Sequence, residues 1–473
     1  MSPRISYSVV VAWLRCAFAW AGLSGLGLSG AAIPQPNILL LYVDNVGYGD
    51  LGCYGNPHNR TPQIDRLAAE GVRCTDFYVV TSSCTPSRGA LLTGRYPRRN
   101  GLEHQLSSTE NWDGIGLPQR ERLLPDYLKS AGYVSGCFGK WNIGFAPGSR
   151  PTERGFDEFL GFRSGNIHYY KYLYNGENDL FRGIDSVNRE GVYATDLFAD
   201  AAIDFMQRHR DRPWLVYLPF NAAHFVSGGN LAPGEQVEWQ VPSRYLARYG
   251  YAPDEPDAQK RFRAVVTALD DAIGRVLQSV DDLQLRERTV VIFISDNGAF
   301  MLKNRGLEVQ TNAPLRDGGT TAYEGGVRVP AIVRWPGVTQ AGTINRTMLS
   351  HLDVLPLCLG VAGVPAPADR ILDGRDPRAA LAGLAGSPHA RLAFGFAGSA
   401  GLRAGSLKLV RPKPAAPWEL YDLAVDVGES RDLAATRPAD LSRMVAAYAA
   451  WESETTTDAS PRAPYRAAPK VKK

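Results

Sequence analysis

Long apolar runs, each halted by a polar residue, set the rhythm of this chain. Asn37-Ile38-Leu39-Leu40-Leu41-Tyr42-Val43 stops at Asp44-Asn45. Trp214-Leu215-Val216-Tyr217-Leu218-Pro219-Phe220-Asn221 leads to His224, and Val290-Val291-Ile292-Phe293-Ile294-Ser295 stops at Asp296-Asn297-Gly298. Runs of this length without polar alternation suit strands buried on both faces of a parallel sheet. Between them, apolar residues recur at helical spacing over 61–70, where Thr61-Pro62 reads as the cap and Gly71 as the stop. The same spacing recurs over 123–131, ended by Gly132, and over 257–280. The alternation predicts an α/β class: a large mixed, mostly parallel sheet sandwiched by helices. After about residue 365 the pattern changes. Segments 392–396, 401–410 and 418–423 read as a smaller antiparallel sheet, and 434–451 as a terminal amphipathic helix. The predicted organisation is a main domain over 33–365, a C-terminal subdomain over 366–458 and a basic, Pro/Ala-rich disordered tail over 459–473.

In open α/β sheets, ligands bind beyond the carboxyl ends of the strands. Asp44, Asn45, His224, Asp296 and Asn297 all fall at such ends. Four oxygen-donor side chains with two carboxylates suit a hard cation such as Ca²⁺ or Mg²⁺. The string Cys84-Thr85-Pro86-Ser87-Arg88-Gly89-Ala90-Leu91-Leu92-Thr93-Gly94-Arg95 adds a thiol just before a Pro suited to a first helical turn. Cys84 is thus expected at a helix N-terminus, where backbone N–H groups attract anions, with Arg88 and Arg95 two turns apart on one helix face.

Composition narrows the classes. The chain has 473 residues, 44% apolar content and a formal net charge of +4, too small an excess to argue for nucleic acid. Arg4, the small and apolar stretch 17–28 and the small residues 29–32 read as an export signal over 1–32, for periplasmic or secreted delivery. Arg15 interrupts the apolar run, so no stable membrane span is expected; an uncleaved anchor is the alternative. Of six cysteines, Cys16 lies in that leader. Apart from Cys84, Cys53, Cys74, Cys137 and Cys358 leave room for one or two disulfides.

The Cys84 string, with Cys-x-Pro-Ser-Arg and a closing Leu-x-Gly-Arg, resembles the signature of the sulfatases. These are arylsulfatase-like, formylglycine-dependent enzymes of the alkaline phosphatase superfamily. Further blocks resemble the family in its order: Pro36 to Asp44 with Gly47-Tyr48-Gly49-Asp50-Leu51-Gly52, Gly139-Lys140-Trp141, Asn221-Ala222-Ala223-His224, Tyr323-Glu324-Gly325-Gly326-Val327-Arg328-Val329-Pro330, and Glu419-Leu420-Tyr421-Asp422-Leu423. The resemblance implies an alkaline phosphatase-like fold and hydrolysis of sulfate esters, of sulfated carbohydrate or aryl sulfate. It implies conversion of Cys84 to 3-oxoalanine (formylglycine) by a formylglycine-generating enzyme. It also implies one Ca²⁺ held by Asp44, Asn45, Asp296 and Asn297 and touching residue 84. Arg88 would fix the hydrated aldehyde, Lys140 would neutralise charge around it, and His224 would contact sulfate and protonate the leaving oxygen. The hydrate attacks sulfur and then expels sulfate.

Three positions depart from the family pattern. Asn45 stands where a second Asp is usual. Asn142 replaces the His of Gly-Lys-Trp-His and can hydrogen-bond the hydrate without shuttling a proton. Gly319 stands where a sulfate-gripping Lys is usual, with Lys303 and Arg316 on neighbouring loops. Alternative readings are a formylglycine-type phosphodiester or phosphonate monoester hydrolase, and a catalytically weakened sulfated-glycan-binding homologue. In the latter, Tyr169, Tyr170, Tyr172 and Tyr174 would stack on sugars.

Overall fold

The strand Asn37–Val43 shows why its run carries no polar alternation. Leu39, Leu41 and Val43 point into one apolar layer, while Ile38, Leu40 and Tyr42 point into another. The computed structural model describes residues 35–106, 116–301 and 308–463. Ten strands form the main sheet. In spatial order they are Thr343–Asn345, Val72–Cys74, Ala331–Arg334, Thr289–Ser295, Asn37–Val43, Trp214–Pro219, Val134–Lys140, Glu158–Phe162, Phe181–Arg182 and Asp185–Ser186. The five strands from Thr289–Ser295 to Glu158–Phe162 run parallel, and antiparallel strands flank them on both sides. Helices Pro62–Glu70, Ala194–Arg208 and Ala258–Asp282 cover one face. Helices Cys84–Thr93, Leu124–Leu128 and Val354–Val361 cover the other.

Several predicted boundaries shift for local reasons. The 123–131 segment splits into Leu124–Leu128 and a 3₁₀ turn, Lys129–Ala131, before Gly132 at φ +79°. The expected Thr61 cap does not form. Thr61 Oγ1 bonds Asp65 Oδ1 at 3.0 Å instead, and the free N–H groups of Gln63 and Ile64 donate to Asp270 at 3.1 and 2.8 Å. A residue on one helix therefore caps another. The expected strand 401–410 is two strands, Ser399–Ala404 and Leu407–Arg411, turning at Gly405 with φ +60°. Gly405-Ser406 forms the two-residue turn between Ala404 and Leu407. The five cysteines 53, 74, 84, 137 and 358 are all free. Cys74, Cys137 and Cys358 pack as small apolar side chains in one core, so the disulfides allowed by count do not form.

The C-terminal part is a four-stranded antiparallel meander, Leu392–Phe396, Ser399–Ala404, Leu407–Arg411 and Glu419–Asp422, backed by helix Pro438–Glu454. Leu402, Leu409 and Leu420 meet Met444, Tyr448 and Trp451 on the helix side. Phe394, Val410 and Tyr421 meet Tyr78, Tyr323 and Val327 of the main domain on the other. Lys408, fully buried, crosses that contact to Glu324 at 2.6 Å, with Glu429 at 3.8 Å. Against burial, Lys408 and Arg328 hold the Glu324 carboxyl low, while burial pushes Glu429 up. Gln35 onward forms one unit. The segment read as a tail is docked at its start: Ser460 and Ala463 donate backbone hydrogen bonds to Arg99 and Gly101 at 2.7 and 2.8 Å. The rest of it, and the leader 1–32, lie outside the described residues. Among those described, no helix is long and apolar enough to cross a membrane.

Asp270→Ala is expected to lower stability by about 1–2 kcal/mol, the usual loss for a helix cap, and Asp270→Asn by less, because an oxygen acceptor remains. Urea unfolding of the two variants checks this.

Candidate functional site

Adjacent parallel strands bring their carboxyl ends into a row. Thr289–Ser295 delivers Asp296, Asn37–Val43 delivers Asp44, the turn after Trp214–Pro219 carries Asn221 and His224, and Val134–Lys140 ends in Lys140 itself. Helix Cys84–Thr93 points its first turn at this row. Two of the expected site groups are acids and two are bases, and all four are wholly buried. Arg88 Nη2 donates to Asp296 Oδ2 at 2.6 Å and stands 3.7 Å from Asp44 Oδ2. Lys140 Nζ donates to the same Asp44 oxygen at 2.6 Å. Arg88 Nη1 also reaches the Lys140 carbonyl at 3.2 Å, and its guanidinium lies 5.3 Å from the centre of the Tyr42 ring. Buried charges this close persist only when paired and hydrogen-bonded. Burial and the neighbouring Asp44 still push the Asp296 carboxyl up.

Cys84 is buried beside Asp44, its sulfur 3.6 Å from Oδ1. Burial pushes the thiol well up despite Lys140, so it rests as a thiol and not as the thiolate that a cysteine nucleophile needs. One ligand atom each from Asp44, Cys84 and His224 lies within 4.8 Å of the other two. His224 Nδ1 bonds the Phe225 carbonyl at 2.6 Å, which leaves Nε2 without a proton. Burial and then Lys140 lower its pKa to about 3.

The expected metal ligands cluster too. Asn45 N–H donates to Asp296 Oδ1 at 3.1 Å, and Asn297 Nδ2 donates to Asn45 Oδ1 at 2.6 Å. Asn297 Oδ1 and Asn45 Nδ2 are buried and have no partner. Unpaired buried groups cost about 1–3 kcal/mol each and call for a ligand. An all-oxygen donor set of two carboxylates and two amides fits a hard divalent cation. Gly298 closes the turn where a Cβ would stand 1.7 Å from the Gly325 carbonyl.

Asn45 and Asn142 both sit on left-handed backbone, at φ +57° and +56°, where Asn is the side chain most easily accommodated after Gly. Both amide atoms of Asn142 are buried without a partner. Gly319 lies against Phe300, whose ring would stand 3.0 Å from an added Cβ, so a longer side chain here would have to displace that ring. Arg316 does not supply that cation. It bonds Tyr421 Oη and the Glu429 carbonyl at 2.9 and 2.7 Å, on the C-terminal sheet. Lys303 lies outside the described residues. Arg95 is also off the site: Gly94, at φ +65°, ends the helix, and Arg95 turns to Glu121 and Asp458 at 3.1 and 2.8 Å.

Three contributors escaped the sequence reading of the site. Gln105 Oε1 accepts from Ser83 Oγ and Thr85 N–H at 3.0 and 3.1 Å, clamping the residues on either side of Cys84. Tyr169 is buried and unavailable to a sugar. Its hydroxyl lies 3.1 Å from the Asn221 carbonyl and 2.8 Å from that of His224, bracing the histidine turn. Tyr172 is likewise buried, and Tyr170 and Tyr174 are half-buried. Asn221 keeps both amide atoms buried and unpaired. The unbroken apolar approach to Asn221 was a usable signal; nothing near Gln105 in the sequence marks it.

A sulfatase family model matches residues 36–364. N-acetylgalactosamine-6-sulfatase of Canis lupus familiaris is 36% identical over 384 residues, covering 76% of this chain and 69% of its own length. Arylsulfatase A of Homo sapiens is 34% identical, with 77% and 72% covered. Among solved structures, Ps i-CgsB in complex with k-i-k-neocarrahexaose superposes with a TM-score of 0.80 at 27% identity, over 92% of this chain and 95% of that one. The phosphonate monoester hydrolase of Silicibacter pomeroyi, at 19% identity and TM-score 0.63 over 89% and 96%, shares the fold.

Lys140→Met is expected to cost about 3–5 kcal/mol, the usual loss when a buried pair is broken, in urea unfolding without divalent ions. Excess Ca²⁺ is expected to restore part of that loss by replacing positive charge beside Asp44.

Proposed function

The chain belongs to the sulfatase family, whose members hydrolyse sulfate esters, and on that premise we propose that it desulfates a sulfated carbohydrate through Cys84 matured to formylglycine, with one Ca²⁺ bound. The observation that carries this reading is the meeting of Asp44, Cys84 and His224 within 4.8 Å, in a buried site where Lys140 and Arg88 offset the charge of Asp44 and Asp296. The carbohydrate class is supported by a relative named for N-acetylgalactosamine-6-sulfate and by a neighbour bound to neocarrahexaose.

Asp44, Asn45, Asp296 and Asn297 would hold the cation. When present, formylglycine supplies a nucleophilic hydroxyl on carbon, and Ca²⁺ supplies Lewis acidity beside the sulfate. The remaining work falls to the chain's own side chains. Arg88 fixes both carboxylates and sets its charge beside residue 84. Lys140 places a second cation where charge builds on the sulfate oxygens. The Phe225 carbonyl fixes the His224 ring with Nδ1 protonated, leaving Nε2 as an acceptor for a hydrogen bond or a proton from substrate or hydrate. Asn142 offers an unpaired amide that hydrogen-bonds substrate or hydrate and moves no proton. Maturation by a formylglycine-generating enzyme, and export through residues 1–32, belong to the same reading.

After co-expression with that maturation enzyme, a carbonyl-reactive probe is expected to label the peptide containing residue 84. The protein should then turn over an aryl sulfate faster than an aryl phosphodiester. Cys84→Ala should lose both labelling and at least about 10³-fold in kcat/KM. An unlabelled thiol, with no sulfate ester hydrolysed, ends the reading. Asn142→Ala is expected to lower kcat/KM by about 10²-fold, the usual effect of one lost donor to developing charge, with the fold unchanged by circular dichroism.

A further inference from the structure

A cleft of about 750 Å³ opens between the main domain and the C-terminal sheet, a size suited to a sugar unit or two. Its walls come from the residues after the Cys84 helix, the hairpin tip at Phe396 and the docked segment that ends in Ala463. Three arginines line it, with one carboxylate among the lining residues, Glu103. Two of them have acidic partners: Arg462 meets Glu103 at 3.2 Å, and Arg98 meets Glu452 at 3.7 Å. Arg411 differs. Its guanidinium lies 4.6 Å from the centre of the Trp418 ring, its Nε is buried without a hydrogen-bond partner, and among the described residues it has no carboxylate partner. A partly buried guanidinium without a counter-ion is a receptor for a carboxylate or sulfate.

The cleft adjoins the reaction site at Gln105. This residue lines the cleft, and its Oε1 accepts from the residues on either side of Cys84. Its Nε2 faces Gly165 beside Asn142: a Cβ at Gly165 would stand 3.4 Å from Gln105 Nε2 and 3.7 Å from Asn142 Oδ1. Gln105 is thus shared, lining the cleft while it holds the residues that flank Cys84.

We propose that this cleft holds the sugar chain beyond the scissile ester and that Arg411 pairs there with a second anionic group, so the substrate is an oligosaccharide bearing at least two anions. The proposal rests on the sulfatase reading above and narrows its substrate class. A second sulfate and a uronate carboxylate present the same chemistry to a guanidinium.

Matured protein and its Arg411→Gln variant are compared on four substrates: nitrophenyl sulfate, a monosulfated disaccharide, a disulfated disaccharide, and a monosulfated disaccharide carrying a uronate. The variant is expected to lose about tenfold or more in kcat/KM on a doubly charged disaccharide, with nitrophenyl sulfate and the neutral-partner disaccharide unchanged within about twofold. Whichever doubly charged substrate loses more names the anion. Equal losses on all four, or no loss on either doubly charged one, overturn the proposal. Binding of the disulfated and uronate disaccharides to Cys84→Ala protein, with and without Arg411→Gln, is measured by calorimetry in parallel. Binding that depends on residue 411 upholds the cleft even where nothing is hydrolysed, which would sink only the sulfatase reading. Binding that is indifferent to residue 411 sinks the cleft assignment.

Discussion

Two carboxylates in a pocket shut off from water demand positive charge from the chain, and the architecture around Asp44 and Asp296 answers that demand. Each acid ends a strand, and the strands are hydrogen-bonded neighbours, so the two cannot separate without breaking the centre of the sheet. Lys140 ends a strand in the same parallel set, and Arg88 arrives from the helix packed across the strand ends. Sequence order scatters these residues widely, and parallel topology gathers them. Cys84 is then placed by elements already committed to holding the charges, and it needs no loop of its own. Its depth bears on its chemistry: a thiol whose ionisation burial opposes is poorly suited to attack as sulfur.

Much of this was readable from residues. The runs 37–43 and 290–295 announced double-sided burial, and their polar terminators meet in one buried cluster because strand direction is shared. The closing Gly94 was equally readable as a C-cap, yet Arg95 was placed on the helix face because the motif was taken whole. The hairpin at Gly405 carries a local signal too, the Gly405-Ser406 pair between Ala404 and Leu407. Gln105 and the Phe300 ring over Gly319 were illegible in principle. Each acts on a partner brought close only by tertiary packing, and neither has a local pattern to mark it.

The substituted positions form a coherent set. Asn45 lowers the negative charge offered to a cation, and Gly319 leaves room for the Phe300 ring. Asn142, on left-handed backbone like Asn45, leaves a neutral amide among the charges.

The buried Lys408 joins the C-terminal sheet to Glu324 of the main domain. Severing the chain before Leu392–Phe396 would remove Lys408 and Arg403 together and leave the buried Glu324 carboxylate with Arg328 as its remaining cation among the described residues. Gene fusions or exchanges that divide the protein at its apparent seam are thereby penalised. The smaller sheet is moored to the larger domain by a buried charge pair as well as by apolar packing.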